Sequence, residues 1–466
     1  MQARPPIRRP TSPARLSAGD RMVILTMFLL PIPTFLGEAA ARAADTVRFG
    51  TASGRLLLSP QVKCGRHVLL TSALLLAMFG FAMLSMVFGI SHTLRDVLDV
   101  LRVAAFLIVF HFGASLVRRS SANAAGVTMS CLKLLLSIGA LNAAFTAAQY
   151  FLPDATRPLQ TLFAVSDRHM DLLDEQGRAF GFFLNPNTNA IMLLLLALPS
   201  VALFRMTSRP FYLALGGAVL ATILLTGSRT GLMLTALAIV VLCVASRRFT
   251  YLAALAAVGW GAYESLDYLV RTDIARQWFP YLSELLFKLH GALHGDGFDV
   301  TTINSFNSRL VHWERTMDWY FSSPLFGCGP LREELPSFAD NYYVYLLSRY
   351  GQVGLGLYIA YSLYVAGLSA WAILRRRAPC RDWAMLTLTS VVVVNAANYT
   401  LDAFMIVPVG AICLLYSGNM ASLMDLSAPA RGLPRRSPAI RRRPRAIPKV
   451  VAAPKPATTL SACPTA

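Results

Sequence analysis

Two arginines and an aspartate are the side chains of this chain with most chemistry to offer. Arg229 stands in Leu225-Thr226-Gly227-Ser228-Arg229-Thr230-Gly231, between two apolar segments and among small neighbours. A guanidinium deep in a bilayer costs about 2.5–3.5 kcal/mol on insertion scales, so an arginine here either snorkels at a helix end or is paired. Its planar fork also suits a phosphate held by two bonds, and the glycines would let that phosphate approach the backbone. Both readings stay open on this stretch alone.

Arg309 lies in Asn307-Ser308-Arg309-Leu310-Val311-His312-Trp313-Glu314-Arg315. Helical spacing puts Arg309, His312 and Trp313 on roughly one face, while Glu314 and Arg315 read as solvated positions. Asp340 and Asn341 precede an apolar run. An aspartate there is either a helix N-cap or, poised beside arginines, a base able to accept a proton from a hydroxyl. Between these pieces, Ser323-Pro324-Leu325-Phe326-Gly327-Cys328-Gly329 reads as a tight turn. His290 and His294 are spaced as metal ligands on a helix would be, with Asp296 and Asp299 nearby. Gly291, Gly295 and Gly297 interrupt such a helix, so no metal site is expected there.

The elements that must hold these groups are membrane spans. The 466 residues are 55% hydrophobic and only 14% charged, where soluble domains carry about a quarter charged residues. Apolar runs long enough to cross a bilayer fall near 67–90, 97–117, 127–152, 188–206, 211–227, 229–246, 249–266, 350–374, 383–401 and 403–421, two of them tight. The expected fold is an all-α polytopic transmembrane bundle of about 10–12 spans, with one long outer loop containing short helices. Residues 1–21 form a basic N-terminus, 22–421 the transmembrane domain with its outer loop at 267–341, and 422–466 a basic, Pro-rich tail without fixed structure.

The net charge of +19 is concentrated at the two ends of the chain. Beside so many apolar segments, such a tail faces membrane lipid from the cytoplasm rather than nucleic acid. Arg118-Arg119, Arg205 with Arg209, Arg247-Arg248 and Arg375-Arg376-Arg377 fix the cytoplasmic connectors. Met22 to Leu36 is short and broken by Pro31-Ile32-Pro33, so parity favours a re-entrant segment or a hairpin with a weak second span over a cleaved signal peptide. The outward polar parts are then 153–187, the turn around Arg229, the long loop, and a short turn from Asn398 to Asp402. The seven cysteines include no CxxC pair and imply no disulfide framework in the loop.

In order along the chain, four pieces resemble the O-antigen polymerase/ligase family of bacterial polysaccharide membrane enzymes. They are Arg178-Ala179-Phe180-Gly181-Phe182-Phe183-Leu184-Asn185-Pro186-Asn187; the Ser228-Arg229 turn; Arg309-x-x-x-Trp313 with Pro324-x-x-Gly327-x-Gly329; and Asp340-Asn341-x-Tyr343 with Gly351-x-x-Gly354-Leu355. The resemblance covers roughly residues 175–375. It implies an enzyme of the inner membrane that takes a glycan from undecaprenyl diphosphate on the outer face and joins it to an acceptor hydroxyl, inverting the anomeric carbon. No metal and no cofactor are implied, because the diphosphate is already a good leaving group.

By the resemblance, Arg229 and Arg309 bind the diphosphate and stabilise its leaving charge, and Asp340 either serves as the base or only orients the acceptor. Arg178, Asn187, Ser228, His312, Trp313, Asn341 and Tyr343 would complete the substrate site. Expected partners are the lipid-linked oligosaccharide, the growing glycan acceptor, membrane lipid and a chain-length regulator. Family ligases carry a histidine beside the asparagine where this chain has Asp340, which favours a polymerase over a ligase or protein O-glycosyltransferase. A lipid-linked sugar transporter or flippase is the alternative from another class, but such proteins usually show internal repeats and lack so long a one-sided loop.

Overall fold

The computed structural model describes residues 16–29, 47–56, 65–89, 94–119, 124–163, 173–174, 176–183, 185–247, 304–330, 340–376 and 379–427, with 287 and 291 singly. The expected span at 249–266, His290, His294, Asp296, Asp299, most of the outer loop and the Pro-rich tail lie outside them.

Apolar sequence in this chain becomes helix because a bilayer offers no water to satisfy backbone N–H and C=O groups. The described residues contain no strand. They form α1 (Ala18–Leu29), α2 (47–56), α3 (Arg66–Phe88), α4 (Leu94–Arg118), α5 (Ala124–Phe151), α6 (Pro153–Phe163), α7 (Pro186–Thr207), α8 (Phe211–Thr226), α9 (Arg229–Ser246), α10 (Asn304–Ser322), α11 (Tyr342–Arg375), α12 (Cys380–Ala397) and α13 (Val407–Leu426). Seven of these, α3, α4, α5, α7, α9, α11 and α13, are long and apolar enough to cross a membrane. The fold is therefore an all-α, multi-pass membrane bundle.

The expected spans at 211–227 and 383–401 appear as α8 and α12. Helix α8 is shorter than a full crossing and ends in a 3₁₀ turn at Leu224–Thr226. Helix α12 carries Arg381 and Asp382 in its first turn, which lowers its apolar character, yet it packs between α9, α11 and α13.

Helix α13 is the axis of the bundle, and every residue of its apolar window is buried. It packs most closely against α4, where glycines remove the bulk between backbones. A Cβ at Gly113 would lie 2.8 Å from the Leu415 carbonyl oxygen, and one at Gly418 would collide with that of Phe110.

Ion pairs fasten one end of the bundle, here called the basic end. Arg118 donates from Nη2 to Asp425 Oδ2 at 2.8 Å, and the same carboxylate accepts the His67 and Val68 backbone N–H groups, capping α3 from a distant helix. Arg205 Nε donates to Asp382 Oδ1 at 2.7 Å. Asp20 binds both Arg55 Nε (2.8 Å) and Arg119 Nη1 (3.1 Å).

That last cluster shapes the start of the chain. Asp20 in α1 meets Arg55 in α2, and Thr26 Oγ1 lies 3.3 Å from Thr51 Oγ1, so α1 and α2 run antiparallel. Residues 20 and 55 both sit at the basic end, beside Arg119. With 12 residues, α1 is about 18 Å long against a hydrocarbon core of about 30 Å. On its own α1 is too short to cross.

Candidate functional site

The opposite end of the bundle gathers the starts of α7, α9 and α11 and the end of α12, and the expected site residues lie there. Each is positioned by capping chemistry that the sequence encodes. At the start of α9, Gly227 adopts φ 60°, which lets the chain turn sharply, and Ser228 caps the helix by accepting the Gly231 N–H at 3.0 Å. Ser228 is fully buried, so its hydroxyl serves the helix start rather than lining an open surface. Arg229, half-buried, is the first residue of α9. A cation at the positive end of a helix dipole is electrostatically unfavourable unless an anion joins it.

Asn185-Pro186-Asn187 is the start of α7. Asn185 Oδ1 accepts the Asn187 N–H at 2.8 Å, and Pro186 occupies the first turn, where its missing N–H costs nothing. Asn187 Oδ1 in turn accepts from Arg178 Nη2 at 3.0 Å, while Arg178 Nε donates to the Thr226 carbonyl at 3.2 Å. Arg178 is only 6% exposed and braces the turn before Arg229 against the α7 start. The Ala179 N–H donates to the Leu225 carbonyl at 3.0 Å, so one backbone bond and one side-chain bond join these motifs.

The 177–183 stretch is held from below by amides in the spans. Gln149 Oε1 accepts the Gly181 N–H at 2.7 Å, Asn142 Oδ1 accepts the Phe182 N–H at 3.1 Å, and Asn142 Nδ2 donates to Asn189 at 2.7 Å. All three amides are fully buried. Sequence reasoning passed over them, although polar amides inside an apolar run were the signal: a buried amide without partners costs several kcal/mol in hydrocarbon.

At α11 the structure assigns the cap. The N-cap is Asn341, whose Oδ1 accepts the Tyr343 N–H at 3.0 Å and the Val344 N–H at 3.3 Å. Asp340 is displaced to the preceding position, with φ 50°, in the left-handed region that only a few residue types tolerate. Its carboxylate is not occupied by capping. Instead Oδ2 lies 3.6 Å from Nε of Arg309, with side-chain exposures of 47% for Asp340 and 21% for Arg309. A pair this open contributes little to stability, about 0–1 kcal/mol, so stability does not account for it.

Arg309 reaches this place on α10. His312 and Trp313 are half-buried on the same helix and Glu314 and Arg315 exposed, as the spacing predicted. The turn 323–329 then docks into a kink of α11 at Gly351, whose φ of 61° interrupts the helix. Cys328 and Gly329 donate backbone N–H groups to the Ser348 and Arg349 carbonyls (both 3.0 Å), and Gln352 donates to that of Pro324 at 2.9 Å. Ser85 Oγ of α3 donates to the carbonyls of Phe326 (2.9 Å) and Arg349 (2.8 Å), closing a three-way junction. Arg349, 2% exposed with its guanidinium 4.4 Å from the Tyr345 ring centre, belongs to this junction and was missed in the sequence.

Tyr343 donates its hydroxyl to the Asn395 carbonyl at 2.8 Å and packs its ring at a tilt against that of Tyr399, ring centres 4.9 Å apart. It is half-buried, between α11 and the end of α12. Among the described residues no three His, Cys, Asp or Glu side chains group as metal ligands would.

The fold and this end of it define a multi-pass helical membrane protein with arginines, a carboxylate and capped helix starts gathered at one end. No protein-family model matches the chain, and no curated protein matches it.

Proposed function

We propose that the chain polymerises undecaprenyl-diphosphate-linked oligosaccharide repeat units into a surface polysaccharide, on the outer face of the bacterial inner membrane. The observation that carries the reading is the Arg309–Asp340 contact, at the end of the bundle where Arg229 opens α9. Two guanidiniums and a helix start are what a diphosphate leaving group needs, because charge develops on its bridging oxygen as the bond to the sugar breaks. Arg229 and Arg309 hold the diphosphate. Asp340, free of capping duty, takes the proton of the acceptor hydroxyl. The new bond forms between acceptor oxygen and anomeric carbon, on the face opposite the departing carrier diphosphate, so configuration inverts. The step needs neither a metal nor a cofactor. His312, Trp313 and Tyr343 are the side chains that line the glycan, and a chain-length regulator is the expected protein partner. The basic end, with Arg118, Arg205, Arg247 and Arg375, faces the cytoplasm by the charge rule for connectors.

The test is a deletion strain complemented with variants, its surface polysaccharide resolved by size. Arg229→Ala, Arg309→Ala and Asp340→Asn should each reach the membrane yet leave single-repeat products. Normal chain length in the arginine variants would remove the diphosphate role, and normal turnover in Asp340→Asn would remove the base. Long polymer accumulating on the carrier lipid after deletion would instead mark a ligase.

A further inference from the structure

The Arg229 turn and the Asp340 segment are far apart in sequence, and one short stretch touches both. It is the turn from Asn398 to Asp402 at the end of α12. The Asn398 carbonyl accepts the Tyr342 N–H at 2.8 Å, directly after the Asn341 cap. The Asn398 side chain is fully buried and uses both ends: Nδ2 donates to the Tyr358 hydroxyl at 2.7 Å, and Oδ1 accepts the Phe404 N–H at 3.1 Å. Two residues on, Thr400 Oγ1 lies 3.5 Å from Thr230 Oγ1, the neighbour of Arg229.

We infer that Asn398 is a positioning residue for glycosyl transfer, setting the register of Asp340 against Arg229 through its bonds to Tyr342, Tyr358 and Phe404. The inference rests on the polymerase reading above. Asn398 touches neither arginine nor carboxylate, so it acts only through the backbone it holds. The geometry is that of a clamp. One bond fixes the first turn of α11, one ties the same residue to the middle of α11 through Tyr358, and one fixes the turn that carries the chain into α13. Removing the side chain keeps the backbone bond to Tyr342 but releases the middle of α11 at Tyr358 and the turn at Phe404, so the first turn of α11 shifts with the loosened α12 end and carries Asp340 with it. The contact between Thr400 and Thr230 is at the outer limit of a hydrogen bond, so it reports the register rather than enforcing it.

A displacement on the order of 1 Å at a reacting group costs about a hundredfold in rate. Asn398→Ala should therefore lower kcat about 100-fold, and the milder Tyr358→Phe, which removes one of the bonds, about 10-fold, each with KM for the donor within about twofold of wild type. The assay uses the full chain in vesicles, supplied with the lipid-diphosphate-linked repeat unit extracted from the deletion strain, with rates normalised to folded protein. A purely structural role would lower the folded fraction and leave kcat per folded molecule unchanged; that result overturns the inference. A raised KM with kcat retained overturns it too, since it assigns Asn398 to donor binding. If Asn398→Ala does not fold, Tyr358→Phe decides by the same criteria. Absence of transfer by the wild-type chain would instead count against the polymerase reading, a result distinct from any failure of the variants.

Discussion

Substituting Gly351 with alanine should undock the 323–329 turn, and α10 before it, from α11 without unfolding either helix. Gly351 adopts φ 61° with ψ −166°, a region that is essentially glycine's alone, and an alanine held there costs about 1–3 kcal/mol. The new Cβ would also run into the Leu325 carbonyl, which is backbone and cannot rotate away. The chain escapes both costs by releasing the 323–329 turn. That forfeits the bonds from Cys328, Gly329, Gln352 and Val353, each worth about 1 kcal/mol. Local protection should then fall by about 3 kcal/mol, which is about a 100-fold faster amide exchange at Cys328 and Gly329. Hydrogen exchange by mass spectrometry on the detergent-solubilised protein reads this directly. Gly327→Ala should behave alike, since Gly327 has φ 72° and its Cβ would meet the Arg349 backbone. Gly356→Ala is the control: it lies in the same helix with nothing within 4 Å of a Cβ. Unchanged exchange at Cys328 and Gly329 in both variants would refute the docked-turn account. So would an equal acceleration in Gly356→Ala.

Three further outcomes follow from the ends of the bundle. Asp425→Ala should destabilise the protein by about 3–5 kcal/mol, because it strands a buried Arg118 and uncaps α3; a thermal melt in detergent close to wild type would contradict this. Arg178→Lys cannot hold the Thr226 carbonyl and Asn187 together, so it should cost about 1–2 kcal/mol and reduce turnover while the helices persist by circular dichroism. Burial pushes the Asp20 carboxyl up, but hydrogen bonds from Arg55 and Ser17 and the charges of Arg55 and Arg119 outweigh it and hold it below the usual value. A lowered pKa stabilises above the unfolded value, about 3.9, and the gain is lost as pH falls through the folded one. The gap in melting temperature between wild type and Asp20→Asn should be constant from about pH 8 to 5 and close below about pH 4; a gap that widened on acidification would reverse the sign.

Much of the bundle was legible because apolar runs in a membrane have one outcome. The run at 67–90 is the helix Arg66–Phe88, and that at 127–152 is Ala124–Phe151. The face of α10 carrying Arg309, His312 and Trp313 was likewise readable from spacing. What escaped depends on tertiary partners. Whether Asp340 or Asn341 caps α11 turns on a backbone angle at Asp340, which two adjacent good capping residues leave open. The glycines at 327 and 329 were visible as turn formers, but their docking into the α11 kink at Gly351 is a contact between distant segments. Gln149, Asn142 and Asn398 sit in apolar runs whose average hydropathy hides them, and only their partners show what they hold.

Helix α13 has a consequence for how the protein is made. It is the C-terminal helix of the described chain, yet it is the one the others wrap. Until it arrives, α4 presents Gly113 and the exposed Phe110 carbonyl, and Arg118 waits for Asp425. Without α13 the helices α3, α4, α11 and α12 still pack on one another, but the helix that α3, α4 and α12 share is missing from the centre. The contacts to that centre can form only once residues 407–426 are present. A chain that stops before residue 407 should therefore lack the packing of α13 on α4, α12 and α3, and expose Arg118 without Asp425 to membrane quality control.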